Sequence, residues 1–405
     1  MNSGSSFILS VINDTRSRSL IFQALMLGSI VFGLWWIVEN TVTNLATQNK
    51  SVGFGFLSQS AGFQISTTLG TWLFDYEAGS STYLDVYYIG IVNTFVVAFF
   101  GIFAATALGF TLGNMRLSQN FVLRAFSTAY IEITRNVPLL LQLFFWYFAV
   151  LRSLPNRRGK IEIFEGAAGI NITGLYLPAP IPAEGFSATM IALAIAIAIT
   201  MGINRFARIR QHETGKPFPV FWVGTGVLVL IPLAVFLVTG SPLSWEFPEF
   251  RETGPILRRG YQDGMGMLII PEMMSVWLAL TLYTAAFIAE IVRAGILAVN
   301  KGQTEAALSL GLKQGKVLQL VIIPQAMRII IPPLTSQYLN LTKNSSLAVA
   351  IAYPELVSVF AGTALNQVGK EIEMIFMMMS VYLTFSIVTA LFMNWFNSKV
   401  KLVER

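Results

Sequence analysis

Residues 304–324 read TEAALSLGLKQGKVLQLVIIP, between strongly apolar segments. The stretch itself resembles soluble protein. An alanine-rich helix signal, Thr304 to Leu310, stops at Gly311, and a second, Lys313 to Ile323, stops at Pro324. Glu305 is expected in a first helical turn, where a carboxylate meets the positive end of the dipole. Ala306, Ala307 and Ser309 are small enough to let another surface come close, and Gly311 suits the left-handed conformation that ends a helix. A helix of about seven residues is not stable alone in water. It must be held by packing, either under the chain's own spans or in the groove of a partner.

The surroundings are membrane-like. Of 405 residues, 54% are hydrophobic and 12% charged, against about 25% charged in a soluble domain. Mean hydropathy is +0.64. A span needs about 20 mostly apolar residues. Eight segments meet or approach this: Leu20–Val38, Tyr88–Leu112, Ile133–Leu151, Ser187–Ile203, Val220–Thr239, Met273–Leu297, Ile329–Ala352 and Met374–Phe396. The third and seventh carry prolines and polar groups, which marks them as packed interior helices. The first is too long for a signal-peptide core and has no small-residue cleavage site directly after Trp35-Trp36, so it is read as retained.

Net charge is +6. In a membrane chain this reflects cationic loops on the cytoplasmic side and gives no reason to expect nucleic acid. Arg16, Arg18, Arg116, Arg124, Arg205, Arg208, Arg210, Lys216, Lys301, Lys313, Lys316, Arg328, Lys399, Lys401 and Arg405 fall on one side, and Lys50, Arg152, Arg157, Arg158, Lys160, Arg251, Arg258, Arg259 and Lys370 on the other. The bias places both termini and residues 301–324 in the cytoplasm. Residues 152–270 contain two spans flanked by LPAPIPAEG, TGSPLSWEFPEF and ETGPILRRG, a composition of surface loops. The chain divides accordingly: 1–87, an N-terminal span with an extended periplasmic stretch; 88–151, the first part of a core; 152–270, an insertion; and 271–405, the second part of the core. No internal repeat is visible.

Several chemistries are excluded. There is no cysteine, and the one histidine, His212, sits in a basic loop. Thiol chemistry, Cys-based zinc sites and a Ser-His-Asp triad have nothing to work with, and no metal site is expected. None of the four Gly-Lys pairs is followed by Ser or Thr, so no Walker-type phosphate loop is present and the chain is not expected to bind ATP.

Polar groups inside the spans are costly and mark pathways or interior contacts. Glu290 and Arg293 lie three apart on one helix face and can pair, bracing helices near the cytoplasmic end. Gln337, Asn340 and Asn344 share a face of the seventh span, with Lys343 and Ser345 beside it. The stripe offers a cation and amides to a zwitterionic amino acid, and serves equally well as interhelical hydrogen-bond glue. Arg135, Asn136 and Gln142 surround Pro138 and are read as shaping a helix start.

Glu305-Ala306-Ala307, three residues, Gly311, nine residues, then Val321-Ile322-Ile323-Pro324 resembles the EAA signature of ABC importer permeases, with Val321 and Ile323 as conservative departures. NTFVVAFFGIFAATALGF, ITRNVPLLLQLFFWYF, AAFIAEIVRAGI and YLNLTKNSSLAVAI are similar to the histidine/glutamine/arginine-type polar amino acid permeases. The extra N-terminal span, the 39–87 stretch and the 152–270 insertion resemble the Q-type permease of general L-amino acid (Aap/Bzt-like) importers. The resemblance implies an all-α type I importer subunit with eight spans and a five-helix core, in a bacterial inner membrane. It implies that Glu305, Ala306, Ala307, Gly311 and Pro324 belong to the coupling segment that docks on an ATPase dimer, which uses ATP and Mg. It implies a second, M-type permease and a periplasmic amino-acid-binding protein as partners. Where short members read Lys-Asp-Ser-Ser-Leu, this chain has Lys343-Asn344-Ser345-Ser346-Leu347, one acid fewer. Candidate pathway residues are Gln337, Asn340, Lys343, Asn344, Ser345 and Glu290. The rival readings are an ion-coupled secondary transporter, which wants buried coupling carboxylates and usually an inverted repeat, a membrane-embedded enzyme, and a homodimeric permease.

Overall fold

The computed structural model describes residues 15–47, 53–216 and 218–400. Lys50, Lys401, Arg405 and both chain ends lie outside the described residues, as do the side chains of Arg16 and His212. The fold is mostly helical. Helix α1 (Thr15–Thr47) is exposed along its apolar length. Residues 53–82 follow, with a short α2 (Leu69–Leu73). Then come α3 (Tyr83–Arg116), α4 (Phe121–Asn136), α5 (Leu139–Phe144), α6 (Phe186–Thr214), α7 (Val220–Val238) and α8 (Pro271–Leu297). Two short helices, α9 (Lys301–Ser309) and α10 (Gln314–Val317), precede α11 (Ile323–Asn344), the short α12 (Leu365–Val368) and α13 (Glu371–Val400). Among the described residues, 7 helices are long and apolar enough to cross a membrane, or up to 8 if the bent pair α4–α5 counts as one.

That bent pair divides the third segment, Ile133–Leu151, at Pro138. The chain turns by 107° between Phe121–Asn136 and Leu139–Ser153. Pro138 cannot continue the helix, and the Gln142 amide donates to the freed carbonyls of Thr134 (2.8 Å) and Val137 (3.0 Å). Thus Gln142 shapes the break, as its position beside Pro138 suggests.

The core forms around α3 and α8, which run parallel and very close. At Gly113 an added Cβ would stand 2.8 Å from the Ala289 carbonyl and 2.9 Å from Val292. Helix α11 packs on α8 in the opposite direction, Ala326 and Ile330 lying against Gly295. Helix α13 returns alongside α11. Buried Ala279, Leu280, Ala285, Ile288 and Val292 of α8 make it the central element. These four helices therefore share one end, formed by Arg116, Leu297, Ile323 and Val400. The opposite end is capped by residues 53–82, whose Phe56 and Ala61 pack with Tyr83, Leu356, Phe360 and Met374.

The insertion is more ordered than its loop-like composition suggests. Its helices α6 and α7 pack along each other. Its connections form eight short strands: β1 (Ile161–Ile163), β2 (Ala168–Asn171), β3 (Gly174–Leu177), β4 (Ala179–Pro182), β5 (Leu243–Glu246), β6 (Phe250–Arg251), β7 (Gly260–Tyr261) and β8 (Met267–Ile269). Strands β1-β2-β3-β8 make an antiparallel sheet, and β4-β5 and β6-β7 make two ribbons. The pairings between residues 160–182 and 243–269 are non-local, and strands of two to four residues carry no period that a sequence reading can detect.

Candidate coupling and permeation sites

The 301–324 segment begins with a cap. The Asn300 side chain accepts a 2.8 Å bond from Gly302 N–H and starts α9 at Lys301. Glu305 therefore sits in the second turn, and the expected first-turn dipole contact is not made, because Asn300 starts the helix three residues earlier than the Thr304 signal. The helix ends at Gly311 (φ +80°). Leu312 N–H bonds the Ala307 carbonyl (3.3 Å) and Gly311 N–H bonds the Leu308 carbonyl (2.9 Å), the paired closure of a Schellman motif. Nothing lies within 4 Å of a Cβ added at Gly311, so the backbone angle, and not space, demands glycine there.

Pro324 does not stop the second helix. The helical course continues from Gln314 to Ile351. Proline has no N–H to donate, and the chain widens to π turns over Leu318–Ile322 immediately before it, leaving Pro324 in the first turn of α11. Ala307 and Val317 are buried in the elbow, whereas Glu305, Ala306 and Gly311 are exposed. So is Leu310, at 83%, with Leu308 and Leu320 also exposed. These leucines give the two-helix elbow an exposed apolar edge.

Above the elbow lies an ion cluster. Arg116 at the end of α3 bonds Glu290 (2.5 Å) and Glu132 of α4 (3.0 Å), and Arg293 bonds Glu290 at 2.6 Å. Arg135 stands over the Phe287 ring at 5.2 Å. The expected Glu290–Arg293 pair is present, and Arg116 and Glu132 join it. Nothing in the sequence links residues 116, 132 and 290, which only the parallel packing of α3 and α8 brings together. Glu290 thereby holds the end of α3 against α8, and among the described residues no hydrogen bond or ion pair joins it to the α11 stripe.

The stripe occupies the far half of α11. Gln337 and Asn344 are half-buried, Asn340 and Lys343 exposed, and Ser345 buried. The Ser345 hydroxyl donates to the Thr342 carbonyl at 2.7 Å. Tyr338, on the same helix, shares a 2.8 Å hydroxyl–hydroxyl bond with Thr106 of α3. At Asn344 the helix tightens to a 3-10 course over Ser345–Ile351 and turns at Ala352 (φ +59°).

The turn after it holds a buried acid that sequence reasoning missed. Glu355 is fully buried. It accepts N–H bonds from Val357 (2.9 Å) and Ser358 (2.8 Å) and the Tyr382 hydroxyl (3.1 Å). Asn93 donates to the Pro354 carbonyl (2.7 Å), and Leu356 N–H donates to Thr94 (3.1 Å). Burial pushes the Glu355 carboxyl up to about 7, against the pull of its three donors. A lone Glu beside a proline gives no signal of burial in the sequence. Among the described residues no group of three or more His, Asp or Glu is placed to hold a metal.

Comparison with known proteins adds a family. Residues 213–402 match the family described as binding-protein-dependent transport system inner membrane component. The chain is similar to the general L-amino acid transport system permease protein AapQ of Rhizobium johnstonii, 48% identical over 399 residues, covering 98% of this chain and 95% of the relative. It is similar to the putative amino-acid ABC transporter permease protein YhdX of Escherichia coli, 47% identical over 98% of this chain and 97% of that one. The glutamate/glutamine/aspartate/asparagine transport system permease protein BztB of Rhodobacter capsulatus is 37% identical over 98% and 96%.

Proposed function

Because this chain belongs to the family of ABC amino acid transport permeases, we propose that it is the Q-type half of a bacterial inner-membrane importer for polar L-amino acids. The ion-coupled alternative finds no support among the relatives, whose names are those of amino acid transport permease proteins, or in the family match, described as a binding-protein-dependent transport component. The chain itself is a transport component, not an enzyme.

The observation that carries the reading is the elbow at 301–324. It is closed on itself by backbone bonds and yet leaves Leu310 at 83% exposure. On this reading Glu305, Ala306, Ala307 and Gly311 dock on an ATPase dimer that uses ATP and Mg, while Pro324 anchors the elbow to α11. Closure of that dimer moves the elbow, and α11 carries the movement to the stripe at its far end. A second, M-type permease completes the pathway, and a periplasmic binding protein delivers the amino acid. Residues 88–151 and 271–405 form the moving core, with both termini in the cytoplasm.

Gln337, Asn340, Lys343 and Asn344 supply amide and cationic donors suited to a carboxylate, with amide oxygens for an ammonium. The test is to copurify the chain with its ATPase, second permease and binding protein, and to screen L-amino acids for stimulation of ATP hydrolysis. Stimulation by polar amino acids supports the reading, and absence of an ATPase from the purified complex refutes it.

A further inference from the structure

Two turns about a hundred residues apart in sequence meet beside the insertion's sheet. The first, at 156–159, is closed by Gly159 N–H on the Asn156 carbonyl (2.9 Å) and by Arg158 N–H on the Asn156 side chain (3.0 Å). Asn171 of β2 holds it by donating to the carbonyls of Gly159 (3.3 Å) and Arg157 (3.5 Å). The second turn, Ile256–Arg258, leads into β7. There Gly260 (φ +116°) lies so near the first turn that an added Cβ would stand 2.5 Å from the Arg157 carbonyl. Between them is a cavity of about 350 Å³ lined by Asn156, Arg157, Arg158, Ile172, Ile256 and Arg259.

Three of these six residues are arginines and none is acidic. The nearby carboxylates are engaged elsewhere: Glu162 and Glu252 with Lys160, and Glu249 with Arg251. Asp263 reaches Arg157 at 3.7 Å from an exposed position. Arg259 donates to the Gly254 carbonyl (3.0 Å), and among the described residues no carboxylate pairs with Arg158 or Arg259. Three arginines line one concavity, two of them with no carboxylate partner among the described residues, and like charges so placed repel until an anion neutralises them. Their planar forks match carboxylate and phosphate oxygens. The volume falls in the lower part of the range of about 300–1,000 Å³ typical of small-molecule sites.

We propose that this cleft binds a small organic oxyanion, through a carboxylate or phosphate group, on the membrane side opposite the coupling elbow. The π turns after α5 (Phe145–Val150) and the start of α8, joined by the 2.7 Å bond from Tyr147 to Glu272, lie at that side. The same chemistry arrives either as a dissolved acidic amino acid or as an anionic lipid headgroup. The inference goes beyond the transport reading and does not depend on it.

The test uses the full chain copurified with its partner subunits in phosphatidylcholine nanodiscs. L-glutamate, inorganic phosphate and short-chain phosphatidylglycerol are titrated separately, with L-glutamine as the neutral control. At least one anion should bind saturably and weaken with salt. Its affinity should fall about tenfold or more in Arg158→Gln/Arg259→Gln, recover in part with lysine at both positions, and be unchanged in Arg251→Gln. Binding of phosphatidylglycerol alone identifies the lipid as the source, and binding of glutamate or phosphate identifies a dissolved ligand. Affinities unaltered in the double variant overturn the proposal, as does a response only to the binding protein and to none of the three anions. The readout is binding, so a complex that fails to transport leaves the result intact.

Discussion

Arg116 and Glu290 form a 2.5 Å ion pair that ties the last residue of α3 to the C-terminal part of α8. Their side chains are 18% and 25% exposed, so solvent screens the pair only partly. Glu290 also holds Arg293, and Arg116 also holds Glu132. Glu290→Ala strands Arg293 and leaves Arg116 with Glu132 alone, and should destabilise the chain by about 2–3 kcal/mol. Because the residues form one network, Arg116→Ala/Glu290→Ala should cost less than the sum of the single changes. Thermal melts of the purified complex check both expectations, and strict additivity contradicts the network.

The elbow gives a second prediction. Gly311 at φ +80° tolerates an L side chain poorly, with a strain of about 1–2 kcal/mol. Gly311→Val should still insert but should lose amino-acid-stimulated ATP hydrolysis and release the ATPase on purification. Gly311→Ala should fall between the two. Wild-type stimulation in the valine variant contradicts the coupling role.

The stripe gives a third, on specificity. If Asn344 contacts substrate, Asn344→Ala removes a hydrogen bond of about 0.5–1.5 kcal/mol and raises the apparent KM about two- to tenfold, unequally among acidic, neutral and basic amino acids. A stability loss with uniformly reduced uptake instead marks it as interhelical glue. Asn344→Asp restores the acid of the short permeases and should shift preference towards lysine and arginine. Competition uptake in proteoliposomes reads the ranking.

Glu355 makes stability depend on pH. Its folded carboxyl titrates near 7 against an ordinary 4.5, so the folded chain holds the proton more tightly than the unfolded chain. Stability is therefore greatest below about pH 4.5, falls as pH rises towards 7, and stays lower above it, by roughly 3 kcal/mol at most. Glu355→Gln should flatten that part of the profile in thermal melts from acidic to mildly alkaline pH. A variant with the wild-type slope assigns the dependence to other groups.

The orientation is tested by labelling. The chain has no cysteine, so single cysteines at Lys313, in the elbow, and at Ser81, at the opposite end, report the two sides. An impermeant thiol reagent added outside intact spheroplasts should modify Ser81→Cys and spare Lys313→Cys. The reverse pattern inverts the topology.

Most of the architecture could be read locally. Long apolar runs specify spans because hydrocarbon leaves a backbone no alternative to bonding itself, and each such run lies within one stretch of chain. The elbow was legible for the same reason: Glu305-Ala306-Ala307 and Gly311 form a short pattern whose glycine signals its own backbone angle. Where local signals competed, the sequence misled. Pro324 reads as a stop, but π turns just before it carry the helix through, and Asn300 starts α9 ahead of Thr304. Pairings between distant residues were not legible at all. The arginine cleft needs residues 157 and 259 to meet, the ion cluster needs 116 beside 290, and the burial of Glu355 needs α3 and α13 to close over one turn. Such contacts depend on how helices and strands pack, and no property of a single segment encodes which distant segment will lie against it.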